Sequence, residues 1–173
     1  VPDIFYGRFP VRSTAQLANV DILGGHTEVT DAVARAVTSA TVVARQSRSR
    51  TLRGMRPGDE IVMTKYAAVE GTTILAEDFA DRLSSVPTEM LRSARALAGQ
   101  LSIVAESKIA MQHGATAMHD VTEGGVLGAS WELGFANACA VEIDPAKIPV
   151  REETRALCAA LSLDPLRLIR SGS

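Results

Sequence analysis

The chain has 173 residues, of which 46% are hydrophobic and 22% are charged, and its formal net charge is -2. These values are typical of a globular protein and exclude an intrinsically disordered or fibrous one. A slightly negative balance gives no electrostatic basis for binding nucleic acid or an anionic membrane, so we expect neither partner. No apolar run approaches the roughly 20 residues of a membrane span, and no signal peptide is recognisable, so we expect a cytoplasmic protein.

The hydrophobic pattern predicts a mixture of helices and strands. The predicted helices occupy residues 13–18, 69–83, 87–101, 103–113, 126–138 and 152–161. The predicted strands are apolar or β-branched stretches between turns, at residues 20–23, 33–44, 60–64, 115–119 and 140–143. Residues 1–12 show no clear period and are predicted to be an irregular lead-in. This mixed order predicts an α+β fold with mixed α/β layers.

An arginine-rich stretch at residues 45–56 is the best candidate for a domain boundary. It carries five arginines among Ser, Gln and Gly, and it leads into the turn Arg56-Pro57-Gly58-Asp59. Charge runs of this kind are usually solvated surface, which we favour over the alternative of an anion-binding patch. The chain is therefore divided into residues 1–48 and residues 49–173.

Two polar, glycine-rich turns each follow a predicted strand, namely Gly24-Gly25-His26-Thr27-Glu28 and Asp120-Val121-Thr122-Glu123-Gly124-Gly125. Glycine lets the main chain approach a ligand closely, and the helix N-terminus that follows the second turn favours negative charge. Together with Lys65 and Glu70-Gly71-Thr72, the two turns predict one convergent site for an anionic ligand.

Asp120 and Glu123 are candidate ligands for magnesium, because this ion prefers hard oxygen donors. The hydroxyl of Thr122 could add a further oxygen. The alternative is that Asp120 and Thr122 only cap the helix that follows, as such residues often do.

His26, Lys65 and His119 are candidate catalytic residues. Both histidines lie at the end of a predicted strand beside a carboxylate-bearing turn, which suits proton transfer. Lys65 could attract a phosphate group. For each of the three, a structural or surface role is the alternative. The phosphate-binding loop, the dinucleotide fingerprint and the nucleophilic serine elbow are absent from the sequence, so any nucleotide site has another design.

The motifs in combination resemble the aminoimidazole ribonucleotide synthetase-related (PurM-like) superfamily, nearest to its hydrogenase expression/formation (HypE-like) branch. The segments that carry the resemblance are Gly24-Gly25-His26-Thr27-Glu28-Val29-Thr30, Arg56-Pro57-Gly58-Asp59-Glu60-Ile61-Val62-Met63-Thr64-Lys65, Glu70-Gly71-Thr72, His119-Asp120-Val121-Thr122-Glu123-Gly124-Gly125 and Asp164-Pro165-Leu166-Arg167-Leu168-Ile169. The resemblance implies a two-domain, ATP-binding enzyme that dimerises through its N-terminal domains. Members activate an oxygen or a selenium atom by phosphoryl transfer from ATP.

On this resemblance, residues 1–48 are the remnant of an N-terminal ATP-binding domain, and residues 49–173 are a C-terminal α+β domain that is truncated at its end. The implied cofactors are ATP and Mg²⁺, with Asp120 and Glu123 as metal ligands. The implied cofactor-binding residues are Gly24, Gly25, Thr27, Glu28, Glu70, Gly71, Thr72, Thr122, Gly124 and Gly125. The substrate would be a small molecule or a protein thiol.

The sequence also departs from this branch. Its hydrogenase maturation members carry Asp-Pro-Thr-Arg-Gly-Gly where this chain has Asp120-Val121-Thr122-Glu123-Gly124-Gly125, and they end in a cysteine-bearing tail that this sequence lacks. The metal-binding aspartates of the family lie upstream of the first glycine turn. We therefore expect a fragment that is inactive alone, and the substrate stays open. The alternative function is a non-catalytic module that binds a phosphate ligand or supports assembly.

Overall fold

The computed structural model of the chain describes residues 11–34, 37–45 and 52–171. The chain divides into two compact units, Val1–Ser47 and Arg48–Ser173. Most of the predicted irregular lead-in lies outside the described residues, and so do positions 46–51 of the arginine-rich stretch. None of the helices in the described part of the chain is long and apolar enough to cross a membrane.

The first unit contains one helix among its described residues, α1 (Val11–Ala18), which ends at Asn19 in a left-handed conformation. This helix confirms the prediction at residues 13–18 and begins two residues earlier. The predicted strand at 20–23 is wrong, and the described part of 33–44 also contains no strand. Most side chains in these segments are exposed, and a strand needs a neighbouring strand to satisfy its backbone groups.

The second unit is helical in the part of the chain that the structure describes. Its α-helices are α2 (Val69–Asp78), α3 (Thr88–Ala96), α4 (Val104–Gln112), α5 (Gly125–Asn137) and α6 (Glu152–Leu161), with short 3-10 helices at Ala80–Arg82, Leu97–Gln100 and Pro145–Lys147. The five helices predicted here are confirmed. Those predicted at 69–83 and 87–101 each pass into a 3-10 turn, and α4 ends just before Gly114, whose φ of 82° suits only glycine without strain.

The three strands predicted in this unit, at residues 60–64, 115–119 and 140–143, are not present as strands. The β part of the predicted α+β class is therefore not confirmed by the described residues. The apolar residues of these segments are half-buried or exposed, and Ile61 and Val62 are 47% and 83% exposed. Met63 packs against the core, and the carbonyl of Thr64 accepts a hydrogen bond from a side chain, Arg170.

Two apolar clusters form the core of the second unit. In the first, α2, α3 and α6 pack on one another around Leu75, Leu83 and Leu157. The second gathers Val121 before α5 and Val126 and Ala129 within it. Leu168 packs against the first cluster and Leu166 against the second. The short segment that carries both leucines therefore joins the two halves of the core.

Asn137, the last residue of α5, ties the start of the second unit to this helix. Its side-chain oxygen accepts from the amides of Gly54 and Met55 at 2.8 and 3.0 Å. Its side-chain nitrogen donates to the carbonyls of Leu52 and Leu133, both at 2.8 Å. Gly54 also passes so close to Thr116 that a Cβ there would lie 2.3 Å from the Thr116 carbonyl oxygen.

We expect Asn137→Ala to lower the free energy of unfolding by about 2 kcal/mol or more. The substitution removes four hydrogen bonds and leaves part-buried backbone groups without a hydrogen-bond partner. Urea denaturation followed by circular dichroism measures the change. Gln112→Ala is the matched control, since Gln112 is an exposed amide at the last residue of α4, and it should change the stability by less than about 0.5 kcal/mol. Equal losses from the two variants would contradict the assigned role of Asn137.

Candidate functional site

Residues 166–171, called here the bridging segment, connect the two glycine motifs of the second unit. The carbonyl of Ile169 accepts from the amide of Gly71 at 2.9 Å, in the first turn of α2. The carbonyl of Leu166 accepts from the amide of Leu127 at 3.2 Å, in the first turn of α5. The first turn of a helix has amides without intrahelical partners. The bridging segment therefore caps the N-termini of both helices with its own backbone.

The glycines in the two motifs make this contact possible. A Cβ at Gly71 would lie 3.0 Å from the Ile169 oxygen, and a Cβ at Gly125 would lie 2.5 Å from the Leu166 oxygen. Gly124 and Gly125 also have φ of 79° and 62°, which L side chains rarely adopt. The close approach predicted from these glycines is present, and the group that approaches is a protein carbonyl.

The C-terminal end of the bridging segment is held by Arg170 and by Glu70. Arg170 is completely buried, and its guanidinium donates to the carbonyls of Thr64 and Tyr66. The carboxylate of Glu70 accepts from the amide of Ser171 at 3.0 Å. Glu70 was predicted to bind the cofactor, and in the structure its carboxylate is engaged by the protein chain itself.

Thr72, also predicted to bind the cofactor, is fully buried. Its hydroxyl group donates to the carbonyl of Ala68 at 2.7 Å and lies 2.8 Å from the hydroxyl of Thr154 in α6. This hydroxyl therefore links α2 to α6.

His119 is held between two carboxylates. Its Nε2 lies 2.5 Å from a carboxylate oxygen of Glu132 in α5, and its Nδ1 lies 3.4 Å from a carboxylate oxygen of Asp120. The side chain of His119 is 14% exposed, whereas that of Asp120 is 64% exposed. The short contact to Glu132 fixes the ring and leaves Nδ1 on the Asp120 side. This arrangement can move a proton at Nδ1 next to a solvent-exposed carboxylate.

The exposed turn that precedes α5 carries Asp120 and Glu123. The N-cap of α5 is Gly124, and no side chain makes the capping hydrogen bond. The alternative that Asp120 or Thr122 caps this helix is therefore wrong. In the part of the chain that the structure describes, no group of three or more His, Cys, Asp or Glu side chains could hold a metal ion.

Lys65 is engaged by protein acceptors. Its ammonium group donates to the carbonyls of Gln100 and Ser102 at 2.8 and 2.6 Å and lies 3.1 Å from a carboxylate oxygen of Glu106. The pKa of Glu106 is lowered, first by a backbone hydrogen bond in its own residue and then by Lys65. Lys65 would have to exchange at least one of these partners to contact a phosphate group.

The remaining predicted residues lie in the first unit. Gly24, Gly25, His26, Thr27 and Glu28 are exposed and have no regular secondary structure. The Nε2 atom of His26 lies 3.8 Å from a carboxylate oxygen of Glu28. The convergence of this turn with the motifs of the second unit stays a prediction.

Two residues of this region were missed by the sequence interpretation. Glu132 lies one helical turn past Gly128 on α5, so a carboxylate facing back toward His119 could have been sought from helical spacing. The burial of Arg170 could not be predicted in this way. An arginine between an apolar stretch and the polar sequence Ser-Gly-Ser is expected at the surface.

The comparisons with known proteins agree with the motifs. The family model described as AIR synthase related protein, C-terminal domain, matches residues 56–173. The carbamoyl dehydratase HypE of Rhodobacter capsulatus is 32% identical over 162 residues, which cover 91% of this chain and 46% of that protein. A hydrogenase expression/formation protein of Methanocaldococcus jannaschii is 27% identical over 170 residues, which cover 94% of this chain and 47% of that protein. The chain thus spans about half the length of these curated relatives. No solved structure matches it significantly.

We expect Gly125→Ala to destabilise the second unit by about 2–4 kcal/mol, because the added Cβ meets two carbonyls of the bridging segment in a left-handed conformation. The measurement is urea denaturation. The control is Gly99→Ala, at an exposed glycine with no positive φ and no atom within 4 Å of the added Cβ. Gly99→Ala should leave the stability unchanged or slightly raised. A Gly125→Ala variant as stable as the Gly99→Ala variant would contradict the close approach.

Proposed function

The chain belongs to the AIR synthase related protein family, and from that membership we propose that the protein is an ATP-dependent enzyme of phosphoryl transfer or dehydration. Two of its relatives are named a carbamoyl dehydratase and a hydrogenase expression/formation protein. A role in hydrogenase maturation or in small-metabolite synthesis follows from these names as part of the proposal. The proposed acceptor is a small molecule or a protein thiol.

The observation that carries the proposal is the pairing of His119 with Asp120 inside the matched region. Glu132 holds the imidazole ring, so Nδ1 stays beside an exposed carboxylate at a separation of 3.4 Å. Activation of an oxygen atom by phosphoryl transfer requires a group that accepts or supplies a proton near the reacting oxygen. His119 supplies such a group. Its position does not depend on the amides of Gly71 and Leu127, which donate to the bridging segment.

Magnesium bound to ATP would supply neutralisation of the phosphate charge. The carboxylates of Asp120 and Glu123 suit this hard cation, and both residues are exposed on the same turn. The described residues do not form a complete magnesium site by themselves. In the proposal, Asp120 and Glu123 hold the ion only together with other oxygen donors, such as the phosphate groups of ATP.

A second candidate function is a non-catalytic module that binds a phosphate ligand or supports assembly. It is favoured by one group of observations. The amides of Gly71 and Leu127 are capped by the bridging segment, and Lys65 is engaged by Gln100, Ser102 and Glu106. A site whose backbone donors are already used has fewer groups with which to hold a triphosphate.

The proposal includes a homodimer and a cytoplasmic location. The homodimer follows from the resemblance of the chain to two-domain enzymes that pair through their N-terminal domains, and the cytoplasmic location is the one predicted from the sequence.

We expect magnesium-dependent binding of ATP that is weakened about tenfold or more by Asp120→Ala and by His119→Gln, because each change removes a group that the proposal assigns to the phosphates or their magnesium ion. Isothermal titration calorimetry with and without MgCl₂ measures this. Asp78→Ala and His113→Gln are the matched controls, since both residues are exposed at the C-terminal ends of α2 and α4.

The outcome separates the two candidate functions. Binding of ATP that needs magnesium and depends on Asp120 supports the enzyme. Binding of ATP without magnesium, equal in all four variants, would contradict the enzyme and favour the module.

A further inference from the structure

One face of α5 carries an apolar groove that the proposed function does not use. The groove has a volume of about 580 Å³ and lies between this helix and residues 138–143. Trp131 and Phe135, which are 65% and 76% exposed, stack on each other there with ring centroids 5.1 Å apart. The aliphatic part of the lining includes Leu127, Ala138, Val141 and Ile143. An apolar surface of this extent usually marks an interaction site.

One wall of the groove has unused backbone groups. Within the described ranges, the backbone of residues 140–143 makes no hydrogen bond with another protein group. The sequence pattern predicts a strand in this stretch, and a strand needs a second strand beside it. A backbone with open donors and acceptors can pair with another polypeptide. We therefore expect the occupant of the groove to be a polypeptide rather than a small apolar molecule.

The groove is also uncharged. None of the described residues that line it has a charged side chain. Glu132, the residue that follows Trp131, is engaged by His119, and the exposed Glu142 does not line the groove. An uncharged surface can meet an identical surface without repulsion between like charges and without burying them. This surface therefore suits a second copy of the same chain.

The size of the surface fits a weak dimer. Since a buried aromatic side chain contributes about 150–250 Å², the exposed parts of Trp131 and Phe135 offer about 300 Å² in each copy. Together with the aliphatic residues of the groove, two copies would bury about 1,000 Å² in total, which is at the low end of specific interfaces. Such an interface is expected to form reversibly and to depend on the protein concentration.

We propose that two copies of the chain associate across a two-fold axis through this groove, with the Trp131–Phe135 pair of each copy packed in the groove of the other. The two contacts are identical by symmetry, so every residue of the interface contributes twice. The backbone of residues 140–143 is available to pair with the same segment of the second copy. This interface is separate from the homodimer of the proposed function, which is assigned to the N-terminal domains.

The test follows the association of the 173-residue chain and the fluorescence of Trp131 in the same samples. Sedimentation equilibrium over about a hundredfold range of concentration should show a reversible doubling of the mass. Trp131 is the single tryptophan of the chain, so its emission reports on this surface. The emission should shift to shorter wavelength as the mass rises, because the ring leaves water.

Two variants and a matched control give the comparison. Phe135→Ser should weaken the association about tenfold or more and move the shift in Trp131 emission to correspondingly higher concentration. Trp131→Ser, followed by sedimentation alone, should weaken the association by a similar factor. Both rings are largely exposed, so both variants should keep the helical circular dichroism of the wild type. Ile109→Ser should associate like the wild type, since Ile109 is 56% exposed on α4 and does not line the groove.

Three results would overturn this interface. A wild type with one mass and one emission wavelength at all concentrations would leave the groove to a different polypeptide. Association that leaves the Trp131 emission unchanged would show that the copies pair through another surface, such as the N-terminal domains. Equal effects of Phe135→Ser and Ile109→Ser would remove the groove from the contact. ATP and magnesium are absent throughout, so each of these failures leaves the proposed enzyme function unaffected.

Discussion

Two backbone carbonyls, those of Leu166 and Ile169, cap the N-termini of α5 and α2, and the arrangement of the second unit depends on this pair of contacts. The two leucines of the same segment, Leu166 and Leu168, reach into different apolar clusters. One short piece of chain thus satisfies backbone donors on two helices and joins two parts of the core. Capping bonds of this kind are individually modest, and their effect here comes from being made by one segment whose ends cannot move independently.

This constraint determines which chemistry the glycine motifs can perform. A glycine turn at a helix N-terminus can hold an anion only when its amides are free. Here the amides of Gly71 and Leu127 are used by the bridging segment. In the proposed function, the ligand contacts of this unit are assigned to side chains, namely those of His119 and the exposed Asp120. The glycines remain necessary, because no other residue lets the carbonyls of the bridging segment come so close.

The helices could be predicted from the sequence, and the strands could not. Helical periodicity, with Gly114 and Pro87 as end signals, describes interactions within one segment, and α6 was predicted to the residue. A strand depends on a partner elsewhere in the chain, and residues 60–64 use Met63 for packing and Thr64 as an acceptor for Arg170. The motif at 120–125 predicts a turn whose backbone another group approaches closely. The sequence does not show that this group is a pair of carbonyls, those of Leu166 and Leu168. The burial of Arg170 could not be foreseen, since it depends on where residues 64–66 lie in three dimensions.

The central claim is that one segment holds the N-termini of α2 and α5 together, and amide hydrogen exchange measured by NMR tests it most directly. The amides to follow are those of Gly71 and Leu127, which donate to Ile169 and Leu166. The account predicts that both are protected in the wild type to a similar degree and that Leu168→Ala accelerates both together, because the segment is released as a unit. Fast exchange of either amide in the wild type, or acceleration of only one of them in the variant, would contradict it.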